Sequence, residues 1–350
     1  MRPTTLKQII GQAPHKELIQ RQLTACQRSG EAFPHTLFFG PPGVGKTTLA
    51  QVIAHEMAAE FVELRPDLLR QASHVWDRMI VPMAQAAEAE REIVVFIDEI
   101  HGLSLAVTEL LYPMLEDGTF IHEKKGRFVL PSFTLIGATT YPGMLSGPLL
   151  DRFGLKLALD PYDEDDIFDI IARHLFAEMQ QYGLTIPPIE EENVTHELLH
   201  AAQAILARCR LTPRIAIEMT RGVVRTAAGR PDSSTNELTA ADAEDYFRMM
   251  RIDAYGLTPT DRQYLTVLAR HLHERPAMGI RQLADLMRQS ADYLEQHVEP
   301  YLMDLGFIAR TRSGRSLTAE GRAYLRQQDA EEDQSSLQTA IKTAKDILRS

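Results

Sequence analysis

The chain has 350 residues, 44% of them hydrophobic and 24% charged, which is enough for two or three globular domains with separate cores. No apolar run approaches bilayer length, Met1-Arg2-Pro3-Thr4-Thr5-Leu6-Lys7-Gln8 has no apolar export core, and Cys26 and Cys209 stand far apart without metal-ligand spacing, so a reduced, cytoplasmic protein is expected, with no membrane partner. A net charge of −11 excludes a surface that coats nucleic acid throughout, but it leaves room for a local basic site, because clustering decides and not the sum.

Taken in order, an irregular lead-in ends at Ile9-Ile10-Gly11-Gln12, and the spacing of Leu18, Ile19, Leu23 and Cys26 predicts a helix over Lys16–Arg28. The apolar run Thr36-Leu37-Phe38-Phe39 reads as a buried strand. It leads into Gly40-Pro41-Pro42-Gly43-Val44-Gly45-Lys46-Thr47-Thr48, which contains G-x-x-x-x-G-K-[ST]. Backbone N–H groups can wrap a phosphate chain only in a tight turn nearly free of side chains, and Gly40, Gly43 and Gly45 allow that turn while Pro41 and Pro42 stiffen its entry. The turn opens a helix, Thr47–Glu60, whose N-terminus favours anions; Lys46 adds a full charge and the Thr47 hydroxyl can hold Mg²⁺.

A second strand is expected at Phe61–Leu64 and a helix over His74–Ala89. Ile93-Val94-Val95-Phe96-Ile97 is a strand buried on both faces that delivers Asp98 and Glu99 to its tip. Downstream of a phosphate loop such a pair serves the metal (Asp98) and the attacking water (Glu99). An amphipathic helix over Leu105–Glu116 and a hairpin over Gly118–Leu130, turning at Lys124-Lys125-Gly126, come next. The strand Phe133–Ala138 ends in Thr139-Thr140; these threonines either contact phosphate or water, or cap the following turn. Leu155–Leu159 reads as a last strand, which completes a parallel sheet with helices on both faces and a ligand at the carboxyl ends of its strands.

Helical patterns then cover Glu164–Tyr182, Val194–Arg208, Pro213–Ala228 and Ala240–Met250, broken at Pro187-Pro188 and Gly229-Arg230-Pro231-Asp232. Thr260–His271, Ile280–Met287 and Ala291–Leu305 are three further helices. They precede a hairpin made of Gly306–Arg310 and Arg315–Leu317, the order of a winged helix. A tail begins with the acids Glu331, Glu332 and Asp333 and ends in a predicted helix over Leu337–Leu348.

Several stretches together resemble the RuvB family of ring-forming AAA+ motors: Ile9-Ile10-Gly11-Gln12, the loop Gly40–Ala50, Phe96-Ile97-Asp98-Glu99-Ile100-His101, Leu111–Asp117, Phe133–Thr140, Asp151-Arg152-Phe153-Gly154, Thr212–Ala216 and Glu299–Thr311. The resemblance implies an α/β AAA+ P-loop domain over 1–161, an all-α lid over 162–256, a winged-helix DNA-binding domain over 257–328 and a tail over 329–350. It implies ATP and Mg²⁺ as ligands, with Lys46 and Thr47 on the phosphates, Thr47 and Asp98 on the metal, and Glu99 as base or water-orienting residue. Thr140 matches a phosphate sensor and Arg214 a second sensor on the lid. Arg152 matches an arginine finger that acts on the neighbouring subunit; read alone, it could equally be an ion-pair partner of Asp151. Ile10, Tyr162 and Pro213 match positions around the adenine.

The implied assembly is a homo-oligomeric ring, a hexamer in the family, that moves DNA such as four-way junctions. Arg310, Arg312 and Arg315, with Arg322 and Arg326 on the flank, are the expected DNA contacts, opposed in the sequence nearby mainly by Glu320. Departures from the family pattern also stand out. The hairpin between Asp117 and Phe133 is short, which leaves the family's RuvA-type junction-binding partner open, and Leu150 replaces an arginine two residues before the finger. The leading expectation is an ATP-dependent DNA translocase. The alternative is an AAA+ remodeller or nucleotide-gated scaffold, clamp-loader-like, that acts on a protein partner.

Overall fold

The computed structural model describes residues 3–122, 126–185, 192–230, 236–271, 277–328 and 330. The predicted turns at Lys124-Lys125, Pro187-Pro188 and Pro231-Asp232 and the tail helix at Leu337–Leu348 lie outside these residues. The chain forms two compact units, Met1–Ala243 and Glu244–Ser350.

The first unit is built on five parallel strands: β1 (Thr36–Phe39), β2 (Glu60–Leu64), β3 (Ile93–Ile97), β6 (Thr134–Thr139) and β7 (Leu155–Ala158), in the order β2-β3-β6-β1-β7. The short antiparallel pair β4 (Thr119–His122) and β5 (Gly126–Val129) stands apart as the expected hairpin. Strand β3 is buried along its whole length, because alternate side chains enter different layers. Ile93, Val95 and Ile97 join a cluster with Val75, Met79, Met83, Val107 and Leu111, from the helices before and after the strand. Phe96 stacks on Phe61, its ring centroid 5.8 Å away, and the phosphate-loop helix Lys46–Glu56 touches β2, β3 and β6. Gly137 in β6 is needed for close packing: a Cβ there would come within 3.1–3.2 Å of Ile100, Leu37 and Phe153. The same unit contains the helices Glu164–Tyr182, Glu192–Leu206 and Pro213–Ala228, which pack on one another.

In the second unit the helices Pro259–His271 and Ile280–Met287 precede a further helical run, then the hairpin of β8 (Ile308–Thr311) and β9 (Gly314–Leu317). Their core is Tyr264, Leu265, Leu268, Leu283, Leu294, Leu302 and Phe307.

Two expected single helices contain a π turn, at Trp76–Ile80 and at Leu294–Val298. Each is followed, after one intervening residue, by a proline, Pro82 and Pro300. A proline inside a helix has no N–H to donate and crowds the carbonyl one turn back; a widened turn absorbs both effects without ending the helix. No described helix is long and apolar enough to cross a membrane.

Candidate functional site

The sheet brings three sequence-distant strand ends together. β1 lies between β6 and β7, with Phe39 in register with Thr139 and with Ala158, and Gly40 N–H donates to Thr139 O at 3.3 Å. β3 lies on the other side of β6. The phosphate loop, Asp98-Glu99 and Thr139-Thr140 therefore leave the sheet at the same edge.

Gly40, Gly43 and Gly45 have φ of 149°, 84° and 96°, in the region that favours glycine. Gly40 and Gly43 also sit where a side chain cannot fit. A Cβ on Gly40 would lie 2.6 Å from Leu159 O, and one on Gly43 would lie 2.7 Å from Thr212 Cγ2 and 3.4 Å from Arg214 Cβ. The second contact places the segment Thr212-Pro213-Arg214 directly against the phosphate loop. Pro213 is buried at the first turn of its helix, while Arg214 remains exposed. Tyr162 lies between the loop and the segment that carries Ile10: a Cβ on Gly45 would lie 3.8 Å from the Tyr162 hydroxyl, and one on Gly11, next to Ile10, would touch Tyr162 at 2.9 Å. Burial, aided by Asp166, pushes the Tyr162 phenol up to about 12, against a hydrogen bond with Gln12.

Lys46 is 7% exposed, and its Nζ donates to Gly40 O at 2.8 Å and Pro41 O at 2.9 Å. Burial lowers its pKa, opposed by the charges of Glu99 and Asp98. Asp98 is shifted upward, first by burial and then by Glu99, against the Glu99 N–H that donates to it at 3.1 Å and the charges of Lys46 and Arg214. Five expected residues, Lys46, Asp98, Glu99, Thr140 and Arg214, thus form one electrostatic and hydrogen-bonded group.

Glu99 adopts φ 48°, ψ 48°, a left-handed conformation that costs a non-glycine residue about 1–2 kcal/mol. Its side chain is held in place. Thr140 donates to Glu99 Oε2 through its N–H at 3.1 Å and its hydroxyl at 3.0 Å. His101 adds a contact at 3.2 Å, and its Nδ1 lies 2.9 Å from Thr139 Oγ1. Thr139 in turn accepts from Tyr141 N–H at 3.0 Å. Thr139 takes the capping role the sequence offered, and Thr140 holds the Glu99 carboxylate, a role outside the two expected ones. His101 is a site residue that sequence reasoning missed; its position two residues beyond Glu99 was the available signal.

Arg152 lies apart from this group. Its guanidinium sits 4.7 Å over the Tyr112 ring, pairs with Glu116 and donates to Pro148 O at 2.5 Å. Its ion-pair partner is therefore Glu116, from the helix Leu105–Glu116, and not Asp151. Leu150 packs against the core of the sheet unit, so this position carries no cation.

On the wing, the expectation of loosely opposed arginines is corrected. Glu299, fully buried, accepts from Tyr264 OH at 2.8 Å, Arg310 Nε at 2.8 Å and Arg315 Nε at 2.9 Å, and Arg315 also pairs with Glu295. Burial pushes Glu299 up, but hydrogen bonds from Arg315, Tyr264 and Arg310 outweigh it, and its pKa is lowered. Arg315 is 13% exposed and Arg310 46%. Arg312, at the tip of the hairpin, is exposed.

Comparison with known proteins gives the family. Residues 1–159 match the model of the Holliday junction DNA helicase RuvB P-loop domain, and residues 254–326 match the RuvB C-terminal winged helix domain. Among solved structures, the chain is similar to the Thermotoga maritima RuvB Holliday junction branch migration motor, with 33% identity over 93% of this chain and 98% of that one and a TM-score of 0.74. Two point mutants of the same Thermotoga protein match at 33% identity with TM-scores of 0.75 and 0.76, covering 93% of this chain and 99% and 98% of theirs.

Proposed function

The chain belongs to the RuvB family and is an ATP-dependent DNA motor of that type, and from that premise we propose that its nucleotide site is completed only when a second copy contributes Arg152. The observation that carries this reading is the separation of the arginine from the rest of the set. Lys46, Asp98, Glu99, Thr140 and Arg214 converge within one copy, whereas among the described residues the Arg152 side chain contacts Tyr112, Glu116 and Pro148. A guanidinium that meets the γ-phosphate only across a seam makes hydrolysis depend on assembly, and such a group contributes on the order of 10³-fold or more to rate.

Within the site the residues divide the work. The N–H groups of 43–48 wrap the phosphates, and Lys46 exchanges its loop carbonyls for phosphate oxygens. Glu99, aimed by Thr140, accepts a hydrogen bond from the attacking water. Ile10, Tyr162 and Pro213 flank the base. Arg214 reports the state of the nucleotide to the helical segment it begins, because Gly43 packs against that segment. Mg²⁺ fits the donors present: the Thr47 hydroxyl and Asp98, whose upward shift under burial and the neighbouring Glu99 marks a place where a cation relieves repulsion. Among the described residues no three His, Cys, Asp or Glu side chains gather for a metal, which suits an ion shared with phosphate oxygens and water. When bound, Mg²⁺ supplies charge neutralisation on the phosphates.

We assign DNA contact on the wing to Arg312 and the exposed edge of Arg310, and homo-oligomerisation as a ring, a hexamer by family likeness. Ile121 and Val129, 55% and 84% exposed on the short hairpin, support a protein partner docking there. The test is ATP turnover at low salt with single-stranded, duplex and four-way-junction DNA. Stimulation by at least one form is expected; stimulation by none would overturn the reading.

A further inference from the structure

The winged-helix unit contains a second basic feature, away from the wing in sequence. Arg262, Gln263, Thr266, Val267 and Arg270, three and four residues apart on the helix Pro259–His271, line an open cleft of about 740 Å³ with Arg251 and Leu286. Among the described residues no Asp or Glu lines it.

The cleft is held in shape by Arg262. Its Nη1 donates to Leu257 O at 2.9 Å and its Nη2 to Arg251 O at 2.7 Å, and Asp253 lies 3.7 Å away. Asp253 itself accepts from Tyr324 OH at 2.5 Å. Arg262 thus fixes the backbone at Arg251, which sits at φ 54°, a conformation an arginine adopts only when its surroundings impose it. Arg251 and Arg270 are exposed, and among the described residues their side chains have no ion-pair or hydrogen-bond partner. In a chain of net charge −11, two exposed guanidinium groups lining a cleft with no acid among its described residues mark a site for an anion.

We infer that this cleft binds the phosphodiester backbone of duplex DNA, as a contact additional to the wing; the inference rests on the DNA-motor reading. The lining offers guanidinium, amide and hydroxyl groups, all of which bond phosphate oxygens. Among the described residues it offers no aromatic ring on which an unpaired base could stack. Gln263 and Arg270 are seven residues apart on one helix, about 10 Å along its axis, comparable to the rise of three nucleotides of one strand at about 3.4 Å each. The contact sets affinity and register and reads no sequence.

The experiment is DNA binding by the full chain with nucleotide, followed by fluorescence anisotropy on a duplex and a four-way junction between 50 and 200 mM salt, for the parent and for Arg251→Gln/Arg270→Gln. Arg262 is left intact because it supports the fold. Two lost phosphate contacts lower the slope of log affinity against log salt by about 1.8, so the parent should lose roughly tenfold more affinity than the variant across that range. ATP turnover without DNA should be the same in both. Parental binding with an unchanged slope in the variant overturns this inference alone. The same slope together with newly protease-sensitive residues 329–350 in the variant overturns it in favour of the chain's own acidic tail as occupant. A parent with no salt-dependent DNA binding overturns both this inference and the motor reading.

Discussion

Replacing Glu299 by Gln tests the largest energetic claim made for the winged-helix unit. The carboxylate is fully buried and is shared by Tyr264, Arg310 and Arg315. Gln keeps the volume but removes the charge and turns an amide N–H₂ toward donors. Removing one partner of a buried ion pair costs about 3–5 kcal/mol, because the other charge is left uncompensated. The lower end applies here: Arg310 is 46% exposed and screened by water, and Arg315 keeps Glu295. About 3 kcal/mol in a small unit corresponds to a fall in melting temperature of roughly 12–24 °C.

Urea unfolding followed by two probes separates this loss from a global one. Trp76 is the chain's single tryptophan and belongs to the first unit, so its fluorescence midpoint should stay in place while far-ultraviolet circular dichroism shows an earlier step. The pH dependence has a definite sign. Glu299 is lowered in the fold, so its contribution is fully present above its ordinary value and is lost as pH falls through the depressed one. The gap between parent and variant should therefore be flat at neutral pH and close only in strong acid. A loss below about 1 kcal/mol at pH 7 would refute the assignment of Glu299 as the group that organises the wing.

Three further outcomes follow. Gly43→Ala combines a φ of +84° with a Cβ 2.7 Å from Thr212; it should weaken nucleotide binding at least tenfold, about 1.4 kcal/mol, measured with a fluorescent nucleotide. Asp98 is raised in the fold, so its charge costs stability above the raised pKa and nothing below the ordinary carboxylate range. Asp98→Asn should accordingly raise the melting temperature at pH 7 while abolishing turnover, and the gain should vanish as pH falls below that range. Glu116→Gln removes one of three contacts that orient Arg152, and Glu116 is 60% exposed. Turnover should fall about three- to tenfold with nucleotide affinity unchanged; a change in affinity alone would place Arg152 in a different role.

How much was legible in advance depended on the range of the interaction. Strand β1 and the helices Leu105–Glu116, Glu164–Tyr182 and Pro213–Ala228 fall on their predicted bounds, since local periodicity and capping define them. The phosphate loop was legible because a glycine-rich turn with a following lysine has one dominant use. The π turns before Pro82 and Pro300 were not, because residue pattern says that a proline must be accommodated and not how. The wing was misjudged for a related reason. A charge count along the sequence sets Arg310 and Arg315 against Glu320, while the acids that meet them, Glu295 and Glu299, come from the preceding helical run. Glu99 was legible as an acid at a strand tip, but its left-handed backbone and its clamp by Thr140 arise only when β3 and β6 lie side by side.

The seam between copies is tested most directly by mixing two variants, Arg152→Ala and Glu99→Gln, under assembling conditions with DNA. Each alone should be nearly inactive, and the mixture should regain ATP turnover, because an Arg152→Ala copy with an intact Glu99 can take its guanidinium from a Glu99→Gln neighbour. Full turnover by Arg152→Ala alone, or a mixture as inactive as its components, would contradict the account.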